Sequence, residues 1–193
     1  MHTVLANAQT APTSTNPVLQ NKVKAFLEPE AGLNSEIRAG LARLEQTCTF
    51  TNKSKTNTPG PLLSKSATVP KEVAAARLLA NEQQAIADKT IAEYRGTRAL
   101  NMSPCSALPA LLRVTEQCTR YQADTETAKA VSNASQTYFG ETLARFKSYE
   151  AAVELEAKGC TRPDFAYKLW AAEQAHIVPK LKSSGQQLSD LLK

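Results

Sequence analysis

The residues best equipped for chemistry are few and far apart. Glu173-Gln174-Ala175-His176 is an E-x-x-H, which sets a carboxylate and an imidazole on one face of a helix. Di-iron bundles use two such motifs and two further glutamates. Here the motif occurs once, and the other histidine is His2, in a polar leader. No metal or cofactor is expected. Glu150, Glu154 and Glu156 could supply paired acids for proton transfer, but Glu150 and Glu154 stand four apart among polar residues, as on a solvated helix face. No G-x-S-x-G, Walker A or dinucleotide fingerprint is present. These residues point to a chain that is not an enzyme and works by binding.

The four cysteines, Cys48, Cys105, Cys118 and Cys160, include no C-x-x-C pair. That spacing fits neither a zinc site nor a thioredoxin-type redox pair. It fits two disulfides in an oxidising compartment. Leu5 to Ala8 end in an A-x-A pattern, of the kind signal peptidase accepts. Residues 1–16 are therefore expected to be a disordered leader carrying a signal-peptide remnant to Ala8. The expected location is extracytoplasmic, periplasmic or secreted to the cell surface.

Net charge is +5 over 193 residues, with most cations dispersed among acids. The dense basic stripe of a nucleic-acid binder is missing. One stretch differs. Between Glu45 and Glu72 there is no acid, while Lys53, Lys55, Lys65 and Lys71 all fall there. Such a segment suits contact with an acidic partner or an anionic surface, although a solvated basic loop has the same composition. Trp170 and Tyr167 cluster with Phe165 and are the aromatic candidates for partner contact, although their helical spacing also suits a core.

The elements that must position these groups are helical. Asn16-Pro17 supplies an N-cap and a first-position proline. Val18, Leu19, Val23, Phe26 and Leu27 follow at helical spacing until Pro29 and Gly32, where a break is expected. Residues 51–69, rich in Thr, Asn, Ser, Pro and Gly, read as a flexible basic loop. A helix from Pro70 to about Leu100 shows a thin apolar face of Val73, Leu79, Ile86, Ile91 and Tyr94. From Leu111 a seam of alternating three and four spacings runs through Cys118, Tyr121, Thr125, Ala128, Ser132, Ser135, Phe139, Thr142, Phe146, Tyr149 and Val153. It predicts one very long helix over about 110–158. The last helix is expected to kink at Pro179.

Residues 17–193 therefore read as one all-α domain, an elongated up-down-up-down helical bundle stapled by disulfides. A continuous long helix separates Cys160 from Cys105 and Cys118, which pairs Cys48–Cys160 and Cys105–Cys118. No apolar run is long enough for an integral membrane segment. The expected partner is another protein, and the weak polar centre of the seam leaves room for a homodimer. The leading function is an extracytoplasmic interaction module, such as an accessory subunit of a secretion or conjugation system or a periplasmic toxin-neutralising immunity protein. One alternative is a eukaryotic-parasite surface receptor or antigen, for which the sequons at Asn52, Asn101 and Asn133 would be glycosylated. Another is a small-molecule-binding bundle with a ligand beside Ser132 and Ser135.

Overall fold

The structure, a computed structural model, describes residues 16–54, 71–99, 116–157, 170, 173, 175 and 178–193, with some side chains near helix ends and around residues 30–33 excepted. Among these residues there is no strand. Three long helices, α1 (Pro17–Ser54), α2 (Lys71–Ala99) and α3 (Glu116–Ala157), are followed by two short ones, α4 (Val178–Leu181) and α5 (Ser184–Asp190). The leader, the segment 55–69 and the junction 100–115 lie outside the described residues.

α1 starts as its first two residues dictate. Asn16 Oδ1 accepts hydrogen bonds from the backbone N–H of Val18 at 3.0 Å and Leu19 at 3.3 Å, and Pro17 occupies the first helical position. The expected break at Pro29 does not occur: α1 runs unbroken through it for 38 residues. An interior proline costs a helix about 3 kcal/mol. Packing on both sides offsets this. Leu19 and Phe26 are buried before Pro29, and Asn34 is buried and tied to α3 after it. The helix also continues four residues into the stretch read as loop, so Lys53 belongs to α1.

α2 runs over nearly the expected span, but its buried stripe is smaller in side-chain size. Val73, Ala76, Ala80, Ala87 and Ile91 are buried, whereas Ile86 is 44% exposed and Leu79 and Tyr94 are half-buried. Alanines at helical spacing allow backbones to come close, so the thin face is a close contact rather than a weak one.

α3 is continuous over 42 residues, roughly 60 Å at 1.5 Å per residue. The seam residues Cys118, Ala128, Ser135, Phe139, Thr142, Phe146 and Tyr149 are buried as their spacing predicts. Thr125 is exposed and Ser132 half-buried. The buried face is wider than a seam, because Val131, Ala134, Tyr138, Arg145 and Ala152 are buried too. The reason is geometric: α3 packs on α1, on α2 and on the C-terminal segment, so more than one stripe is covered. Gly140 has open space around it and does not break the helix.

Contacts set the directions. Tyr94 meets Asp124 at one end of the α2–α3 pair and Arg77 meets Glu150 at the other, so these helices are antiparallel. Phe26 packs on Tyr138, and Asn34 bonds Arg145, so α1 and α3 point the same way. Trp170 lies on Tyr149, Glu173 on Arg145, and Lys180 over Phe26 and Tyr138, so the C-terminal segment returns antiparallel to α3. The four directions alternate along the chain as in a four-helix bundle.

The turn before Pro179, where the kink is expected, falls largely outside the described residues. The helical path breaks at Lys182–Ser183, beyond the proline, where Ser183 N–H bonds Lys180 O in a tightened turn. Ser183 has a non-helical backbone (φ −115°, ψ 2°) and opens α5. This break turns Ser184, Gly185, Leu188 and Ser189 inward.

Candidate functional site

A buried polar network crosses the middle of the bundle. Arg145 of α3 is 2% exposed and Glu173 of the C-terminal segment fully buried. Arg145 Nε donates to Glu173 Oε1 at 3.2 Å, Nη1 to Asn34 Oδ1 at 2.9 Å and Nη2 to Thr142 Oγ1 at 3.0 Å. Thr142 Oγ1 in turn donates to Tyr138 O at 2.9 Å. The Tyr149 hydroxyl donates to the second oxygen of Glu173 at 2.5 Å. The guanidinium fork thus meets acceptors on three elements, a geometry suited to Arg and not to Lys.

The network opens to the surface between α1 and α3. Asn34 Nδ2 donates to Glu141 Oε2 at 3.0 Å, and the exposed Arg38 donates to the same oxygen at 2.6 Å. Leu27, Ser35, Thr137 and Tyr138 complete the walls of this groove, a cavity of about 360 Å³. The chain of contacts from Arg38 through Glu141, Asn34 and Arg145 to Glu173 is continuous. Its charges pair within the protein, so its chemistry is to fix how α1, α3 and the C-terminal segment meet.

Burial, then the charge of Glu173, then their hydrogen bond hold the Tyr149 phenol far above its ordinary value of 10.0, while Arg145 opposes the shift. The folded chain therefore keeps this proton when the unfolded chain has lost it. Stability from this source is whole below pH 10.0 and declines as pH rises past it, because only the unfolded state gains by ionising. Tyr149→Phe is expected to flatten the loss of urea midpoint between about pH 10 and 11. A wild-type slope retained in the variant would place the alkaline sensitivity elsewhere.

The residues singled out by sequence fare unevenly. Glu173 is central, but as the partner of Arg145 and Tyr149. His176 lies outside the described residues, and among those described no cluster of His, Cys, Asp and Glu could hold a metal. Trp170, read as a partner contact, is 5% exposed and packs edge-on against Tyr149 and beside Phe146; its indole is core in this structure. Lys71 is exposed at the start of α2. Lys55, Lys65 and Tyr167 lie outside the described residues, as does the side chain of Lys53. Cys118 is buried and disulfide-bonded. The side chains of Cys48, Cys105 and Cys160, and with them both expected pairings, lie outside the described residues. Glu150 is paired with Arg77 at 2.5 Å and Glu154 is exposed. Ser132 and Ser135 do not line the α1–α3 groove.

Sequence reasoning missed Arg145 and Asn34. Both sit at helical spacing from buried aromatic residues, Arg145 four before Tyr149 and seven after Tyr138, and Asn34 eight after Phe26. A polar or charged residue within an apolar stripe was the available signal.

Fold and network define an all-α helical bundle with a buried ionic centre. Compared with known proteins, the chain matches no family model, no curated protein and no solved structure. Among the described residues no helix is long and apolar enough to cross a membrane.

Proposed function

We propose that this chain is an extracytoplasmic protein-interaction module, a locked helical bundle presenting the basic segment at one end. Helix direction carries the reading. Because α1 and α2 run oppositely along α3, the end of α1 and the start of α2 lie at the same end of the bundle, with Lys53 in the last turn of one and Lys71 first in the other. The acid-free stretch with Lys55 and Lys65 connects them. Four lysines so gathered suit an acidic face of another protein, with attraction that raises encounter rate and weakens with salt.

The disulfide at Cys118 supports export, because such bonds persist in oxidising compartments. The uninterrupted α3 supports pairing Cys105 with Cys118 and Cys48 with Cys160, since its length keeps the cysteines beyond its two ends apart. A Cys48–Cys160 bond would pin the root of the basic segment. Secretion or conjugation accessory subunits and periplasmic immunity proteins are the classes this description suits.

The test is a chain lacking 55–66, compared with the full chain for capture of a single stoichiometric partner from source-cell envelope extract. The deletion is expected to abolish capture and to leave the melting temperature within about 2 °C. Equal capture by both chains would remove the basic segment from the account.

A further inference from the structure

At the bundle end opposite the basic segment, between the last turns of α2 and the first turns of α3, lies a cleft of about 460 Å³. That volume falls in the range of small-ligand sites. It is lined by two tyrosines, Tyr94 of α2 and Tyr121 of α3, and by the small Ala128. Three cations line it, Arg95, Arg98 and Lys129, against one acid, Asp124.

The acid is already engaged. Tyr94 donates its hydroxyl proton to Asp124 Oδ1 at 3.0 Å, and Arg98 Nε lies 3.5 Å from Oδ2. The Arg98 guanidinium carbon also stands 5.3 Å from the centre of the Tyr94 ring. Arg98 is thereby held in place by an anion on one side and an aromatic face beside it. Arg95 and Lys129 are exposed and make no ion pair among the described residues. The cleft therefore carries two positive charges beyond what its own acid balances. Burial and the Asp124 contact raise the Tyr94 phenol, so at neutral pH it adds no negative charge.

We propose that this cleft binds a small anion with a flat apolar body, such as an aromatic carboxylate. The tyrosine rings would take the flat body by stacking, and Arg95 and Lys129 the carboxylate by charge-assisted hydrogen bonds. The site is independent of the basic segment and of any protein partner.

The probe is 2-naphthoate, titrated at low salt into the full, oxidised, isotope-labelled chain and followed by backbone amide shifts. Shifts confined to residues 94–98 and 121–129 are expected, with naphthalene-2-methanol and acetate each binding more weakly. The double variant Arg95→Gln, Lys129→Gln should weaken naphthoate about tenfold, the equivalent of one strong charged contact. Both side chains are exposed, so its spectrum should otherwise be unchanged. Tyr121→Leu should erase the preference for naphthoate over acetate. Shifts elsewhere in the bundle, no shifts at millimolar probe, or equal affinity in the double variant would overturn the proposal.

Discussion

Glu173→Ala is expected to destabilise the bundle by about 3–5 kcal/mol, the usual result of removing one partner of a buried ion pair. The magnitude follows from what is left behind. Arg145 keeps its full charge, because guanidinium does not deprotonate in proteins. It is 2% exposed, and Asn34 and Thr142 also accept hydrogen bonds from it. Tyr149 simultaneously loses the acceptor for its hydroxyl. For a chain of this length the melting temperature should fall on the order of 10 °C. Urea unfolding followed by helical circular dichroism measures the effect directly.

The double variant Arg145→Met, Glu173→Leu separates charge from packing. Replacing both charges by apolar groups removes the desolvation cost with the attraction, so most of the lost stability should return. Recovery in the double variant would assign the network to choosing one arrangement of helices rather than to supplying net stability. A single-variant loss under about 1 kcal/mol would mean that Glu173 is solvated or replaceable, contrary to its burial.

The second large effect is expected at Gly185, where α5 meets α2. A Cβ there would lie 2.7 Å from the backbone oxygen of Gln83, 3.1 Å from its Oε1 and 3.1 Å from Ile86 Cβ. The first contact is with backbone and cannot turn aside. Gly185 N–H also donates to Gln83 Oε1 at 3.1 Å, so moving α5 away lengthens a bond as it relieves the clash. Two terms oppose each other. Alanine in place of helical glycine gains about 1 kcal/mol of propensity, whereas overpacking costs about 1–3 kcal/mol and sometimes more. Gly185→Ala should therefore be net destabilising, and Gly185→Val, with more volume and poorer propensity, should undock the C-terminal helix. Limited proteolysis near Lys182 would report undocking. Gly140→Ala is the control: nothing stands within 4 Å of the added carbon, so that change should stabilise by about 0.5–1 kcal/mol. If both alanine variants behave alike, the close crossing is not what makes Gly185 necessary.

Much of the fold was readable along the chain, because its cues are local. Asn16 and Pro17 start α1, the Ala, Glu, Gln and Lys content of 71–99 favours helix, and spacings of three and four carry α3 across 42 residues. Each depends on neighbours within a turn or two, where backbone geometry alone determines what meets what. Pro29 marks where such reasoning fails. The proline penalty is local, but the packing that outweighs it comes from α3, more than a hundred residues away.

The candidate site was less legible for the same reason. Glu173 drew attention through His176 three residues on, yet its partner is Arg145, 28 residues back on another helix. Periodicity placed Trp170 on an apolar face without saying whether a partner or the core would cover it, and Phe146 and Tyr149 cover it. The sequence by itself determined helices, their order and the acid-free run that holds Lys53, Lys55, Lys65 and Lys71. Only the tertiary structure decided which stripes were buried, that alanines rather than Ile86 form the α2 contact, and that Arg145 and Glu173 are partners. Side-chain burial and charge pairing depend on distances between helices, and these arise only when the helices pack.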